Sequence, residues 1–81
     1  MNQLHVDKIA SDFSKEDFEL VVSELRTIHL DHMMEKSQTN LENTITAILK
    51  LSNGDLNKLE RLIEASKKDF RDVIYWASEI S

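Results

Sequence analysis

Histidine and aspartate crowd most closely at His29-Leu30-Asp31-His32, followed shortly by Glu35. Residues three apart on a helix are neighbours, so the two imidazoles could chelate one metal ion with Asp31 or Glu35 near by. The established metal patterns are missing, however. There is no His-Glu-x-x-His spacing of the zinc proteases, nor any Glu-x-x-His pair of the di-iron bundles. His29 and His32 also fall on an apolar stripe, which favours core or interface histidines; they are the only metal candidates, and no metal site or cofactor is assigned. Buried neutral imidazoles would make stability fall as pH drops below about 6.5.

A second concentration runs from Asp69-Phe70-Arg71-Asp72 into Val73-Ile74-Tyr75-Trp76. Arg71 and Tyr75, like Asp72 and Trp76, stand one helical turn apart. Tyr75 points about 140° away from Phe70, off the core stripe, while Trp76 sits at its edge. Aromatic and arginine side chains are enriched where proteins bind one another. Arg71, Tyr75 and Trp76 therefore form a candidate recognition patch. The alternative is that Trp76 closes the core and Arg71 pairs with a neighbouring carboxylate.

Other chemistries are excluded by what the chain lacks. Its 81 residues contain no cysteine, no proline and one glycine. Disulfides, thiolate nucleophiles and cysteine-ligated metals are ruled out, as is a glycine-rich phosphate cradle. No Gly-x-Ser-x-Gly elbow occurs, so no catalytic residue is assigned and a non-enzymatic role is expected. The net charge of −5 argues against nucleic acid, whose binding needs a basic face. Residues 1–36 hold eight acids against four bases, so most of the excess lies in the front half. Lys58, Arg61, Lys67 and Lys68 read as a solvated basic face. No apolar run approaches the roughly 20 residues that span a bilayer, and residues at the start lack a signal-peptide pattern. A cytoplasmic location is expected.

Four helices are needed to position these residues, and the start signals delimit them. Ser14 heads a capping box with Asp17, reinforced by a Phe13–Phe18 staple. From there the pattern predicts one long helix to about Lys36, roughly 33 Å. Thr39 would cap the second helix, which ends at Asn53-Gly54, where glycine supplies a left-handed residue. Asp55 and Asp69 would cap the third and fourth, with Phe70, Val73, Ile74, Ala77 and Ile80 turned inward. Val6, Ile9, Ala10 and Phe13 match a short leading helix or an irregular lead-in. The expected architecture is a single all-α domain over 1–81, a compact bundle of four helices, one long and three short.

The long helix would outrun its cover. Phe18, Val21, Val22, Leu25, His29 and His32 share one stripe, while Leu20, Leu30 and Met34 fall nearly opposite on a thinner apolar line. Burying these three would stabilise a complex by about 1.5–3 kcal/mol each. Either a partner covers that line or the N-terminal segment folds over it.

The stretch Ala47-Ile48-Leu49-Lys50-Leu51-Ser52-Asn53-Gly54-Asp55, with Asp69-Phe70-Arg71-Asp72-Val73-Ile74-Tyr75-Trp76-Ala77, resembles the C-terminal part of a group of small uncharacterised bacterial proteins. The likeness covers a little over a third of the chain. It implies a small helical cytosolic protein of bacterial origin and carries over no catalytic residue.

The expected function is thus an interaction module that self-associates, for example as a homodimer, or binds another protein. Leu20, Leu30, Met34, Arg71, Tyr75 and Trp76 are its candidate contact residues. Two alternatives stand beside it: an acidic inhibitor of a basic partner, of the immunity or antitoxin kind, and a metal-binding protein using His29 and His32.

Overall fold

Each α-helix among the described residues starts at a side chain that accepts from one of its free amides. In the computed structural model, which describes residues 1–80 with the side chain of Met34 outside the described set, four helices and no strand are present among the described residues. Helix α1 (Gln3–Asp12) is capped by Asn2, whose Oδ1 accepts from the His5 amide at 3.0 Å, while the Asn2 amide donates to His5 Nδ1 at 3.2 Å. Helix α2 (Lys15–Leu25) begins at Ser14, whose hydroxyl accepts from the Asp17 amide, with Glu16 and Asp17 complementing the helix dipole. Helix α3 (Gln38–Ser52) is capped by Ser37 and helix α4 (Leu56–Ser78) by Asp55, through the amides of Asn40 and Lys58. The fold is an all-α bundle, as expected. The leading segment is a helix, and the second cap is Ser37 rather than Thr39, which lies inside α3.

The predicted long helix from Ser14 to Lys36 does not form. Helix α2 stops at Leu25, where the bonding pattern tightens: Thr27 and Ile28 donate to residues three back, and the Thr27 hydroxyl takes the Glu24 carbonyl at 2.6 Å. Such a side-chain bond competes with helix continuation, and the β-branched Thr27–Ile28 pair adds little propensity to resist it. Two short 3₁₀ turns follow, Leu30–His32 and Met34–Lys36, the second with Glu35 and Lys36 in the left-handed region. The long element is instead α4, and it is not straight.

Asp69 has extended backbone angles inside α4 (φ −158°, ψ 101°). Its carboxylate accepts from the Arg71 amide at 3.0 Å, so it caps a fresh helical segment, the role the sequence predicted for it. A straight helix of 23 residues would hold its ends about 33 Å apart. Here the chain turns back, and Lys50, near the end of α3, donates from Nζ to the carbonyls of Ala77 and Ile80 at 3.0 and 2.7 Å. The two segments of α4 thus both pack on α3, the most extensive interface of the molecule.

All four α-helices contribute to one core. Ile9 and Phe13 come from α1, Val21 and Leu25 from α2, Ile48 and Leu49 from α3, Leu59 and Ile63 from the first segment of α4, and Phe70 and Val73 from its second. Ile28 and Met33 plug the irregular connection into the same cluster. The radius of gyration, 11.6 Å, equals that of a compact body of this length, about 11.7 Å. The α3–α4 turn uses two left-handed residues, Asn53 and Gly54. A side-chain carbon at Gly54 would sit 2.7 Å from the Asp12 carbonyl oxygen, so the turn is pressed against the end of α1.

Candidate interaction surface

The second segment of α4 presents two contrasting faces. Phe70, Val73 and Ala77 are buried. About half a turn away on the helix, Asp72, Tyr75, Trp76 and Glu79 are exposed. Of the six large hydrophobic residues left exposed among the described ones, three lie here: Tyr75 at 62%, Trp76 at 44% and Ile80 at 48%. Tyr75 and Trp76 thus stand where helical spacing put them. Ile80, expected inward, lies past the end of the helix and is open to solvent.

The segment is held at both ends, which keeps that face in one orientation. At its start, Arg71 Nε and Nη2 donate to Asp69 Oδ1 and Oδ2, each at 2.9 Å. These bonds hold the Asp69 carboxyl below its usual value and raise the Arg71 guanidinium above its own. Both groups are open to water, so the pair fixes geometry more than it stabilises the fold. At its end, the Lys50 ammonium satisfies the Ala77 carbonyl and that of Ile80, a favourable place for a cation. Arg71 is therefore committed within the chain rather than free for a partner. Of the three residues of the candidate patch, Arg71 is paired with Asp69, while Tyr75 and Trp76 lie exposed beside Asp72, Glu79 and Ile80.

The apolar line through Leu20, Leu30 and Met34 does not form, because α2 ends between Leu20 and Leu30. Leu20 is 41% exposed on α2, and Leu30 sits in the first 3₁₀ turn beside a shallow groove shared with Met1, Ile28 and Leu41. The Met34 side chain lies outside the described residues.

His29 and His32 are likewise not on a helical core stripe. His29 is exposed and His32 half-buried, flanking the 3₁₀ turn with their rings stacked at 5.8 Å between centroids. The His29 amide donates to His32 Nδ1 at 3.0 Å, which occupies one of the four ring nitrogens. Among the described residues no group of three histidine, cysteine or acidic side chains converges to hold a metal ion.

The buried histidine is His5, 4% exposed. Its Nδ1 accepts from the Asn2 amide, so its proton sits on Nε2, 2.7 Å from the Thr46 hydroxyl on α3. That hydroxyl donates onward to the Glu42 carbonyl at 3.0 Å. Burial lowers the pKa of His5, as does the N-terminal ammonium, against an opposing pull from Glu42. The only sequence signal was its position one residue short of Val6 and four before Ile9, on the flank of the α1 stripe.

Comparison of the chain with protein families, characterised proteins and solved structures finds no match.

Proposed function

We propose that the protein is a non-enzymatic interaction module that docks a partner protein through the outward face of the last two turns of α4. The observation that supports this reading is the exposure of Tyr75, Trp76 and Ile80 together, on a segment whose opposite face is locked into the core and whose two ends are fastened by Arg71 and Lys50. Rigid aromatic groups lose little side-chain freedom on binding, and they dominate the energetics of many interfaces. A face held in one orientation before contact avoids the ordering cost as well.

A photoreactive side chain placed at position 75 in the full chain, expressed in cells, is expected to give a discrete cross-linked species. The same group at the exposed Glu60 is expected to give none. Light scattering across a concentration series then separates a second copy from a different protein. A monomer at all concentrations that yields no cross-link from position 75 overturns the reading.

A further inference from the structure

We propose that Asp72, Tyr75, Trp76 and Glu79 form a receptor for a lysine- or arginine-bearing segment of a partner protein. This rests on the docking reading above and adds the chemistry of the partner.

The four residues follow i, i+3, i+4, i+7 spacing, so they make one continuous patch about 10 Å long on a helix. Two carboxylates flank two aromatic rings along it, and all four side chains are exposed. Neither carboxylate has an ion-pair partner among the described residues. The two cations fixed to this segment are already engaged: Arg71 is bound through both carboxylate oxygens of Asp69, and Lys50 is held on two backbone carbonyls. Neutralising Asp72 or Glu79 with either of these two cations would break the arrangement that holds it. A cation from outside meets no such competition.

The aromatic rings make the patch more than a concentration of negative charge. A guanidinium or ammonium over the face of tryptophan or tyrosine is attracted by the ring quadrupole, and arginine also stacks on it. A carboxylate at the ring edge then takes the remaining donors of the same cation. The net charge of −5 would speed the approach of such a partner. A second copy of the chain fits this face poorly. A two-fold contact would set Asp72 and Glu79 against their own equivalents, placing like charges together with no free cation on the patch to separate them.

Trp76 is the only tryptophan and Tyr75 the only tyrosine, so intrinsic fluorescence reports on the patch directly. The probe is a capped Arg-Gly-Arg-Gly-Arg peptide, with the corresponding glutamate peptide as control. The arginine peptide is expected to change tryptophan emission saturably and to shift backbone amide resonances concentrated in residues 69–80. The double variant Asp72→Asn/Glu79→Gln should weaken binding about ten-fold, equivalent to roughly 1.4 kcal/mol. The double variant Glu16→Gln/Glu19→Gln, which removes the same charge from α2, should leave it within about two-fold, since separated surface charges are screened. Equal weakening in the two variants, or shifts spread over α1 and α2, would mean bulk attraction and overturn the proposal. So would the absence of a saturable change. A dimer that Trp76→Ala abolishes, without a response to the arginine peptide, sinks the cationic partner while the docking reading stands. Failure of the position-75 cross-link in a strict monomer removes both.

Discussion

At the scale of single residues, His5 couples protonation to the anchoring of α1. Its Nδ1 receives the Asn2 amide and its Nε2 proton faces Thr46. A second proton, on Nδ1, would oppose the Asn2 N–H and charge a side chain that is 4% exposed. The folded-state pKa is accordingly depressed by burial first and by the N-terminal ammonium second, with Glu42 pulling the other way. For a histidine, depression means that folding favours the neutral form. Its stabilising contribution is complete above the unfolded value near ~6.5 and is lost as pH falls through that value towards the folded one. Urea denaturation at pH 7.5 and 5.5 should therefore show the wild type losing stability, at up to about 1.4 kcal/mol per pH unit for one proton. His5→Gln should lose less over the same interval, and equal losses would exclude His5 as the source. The buried histidine is thus His5, not His29 or His32, which periodicity placed on a core stripe. That periodicity presupposed an unbroken helix through residue 36. Only its place on the flank of the α1 stripe pointed to His5, because a capping box built from asparagine and histidine lacks the usual glutamate or glutamine.

At the scale of elements, punctuation was more legible than continuation. Ser14, Asp55 and Asp69 cap where their side chains and the following apolar spacing placed them, because N-capping is a local bond between a short polar side chain and an amide three residues or fewer away. Ser37 and Thr39 can both cap, and only the packing of α3 decided for Ser37. The end of α2 was hidden because His29 and His32 continue the helical spacing of Phe18, Val21, Val22 and Leu25, whereas Ile28 and Met33 reach the core from an irregular connection. The candidate surface divides in the same way. Tyr75 and Trp76 lie on a helix that exists, so spacing could place Tyr75 off the core stripe and Trp76 at its edge; Leu20 and Leu30 were aligned on one that does not. Asp69 divides α4, while Gly54 sets the join between α3 and α4. Gly54→Ala combines a positive φ of 85° with a 2.7 Å approach to the Asp12 carbonyl, and both must be relieved by moving backbone. A loss of about 2 kcal/mol or more is expected in urea denaturation, and a loss under about 0.5 kcal/mol would show that the α1 end yields freely.

At the scale of the whole molecule, an 81-residue chain holds only about 4–12 kcal/mol of net stability. It nevertheless leaves Tyr75, Trp76 and Ile80 uncovered while drawing Ile28 and Met33 in from a connection. The core itself is closed, with Ile9, Val21, Leu25, Ile48, Leu59 and Val73 all fully buried, so these exposed groups lie outside it. Among the described residues no long helix outruns its cover: the longest, α4, turns back at Asp69 and packs on α3.

The hydrogen bond from His5 to Thr46 joins residues 41 positions apart, and the Gly54–Asp12 contact spans a similar distance. The α3–α4 interface, in contrast, closes through a turn of a few residues. Loop closure makes distant contacts slower to gain than near ones. The chain should therefore assemble its C-terminal half first and recruit α1 last. In stopped-flow kinetics, Ile63→Val should mainly slow folding, whereas Ile9→Val should mainly hasten unfolding. The reverse pattern would mean that the N-terminal helix helps to form the nucleus. If the expected order holds, the proposed docking face on α4 is present before the molecule is complete, and a chain still folding already offers it to a partner.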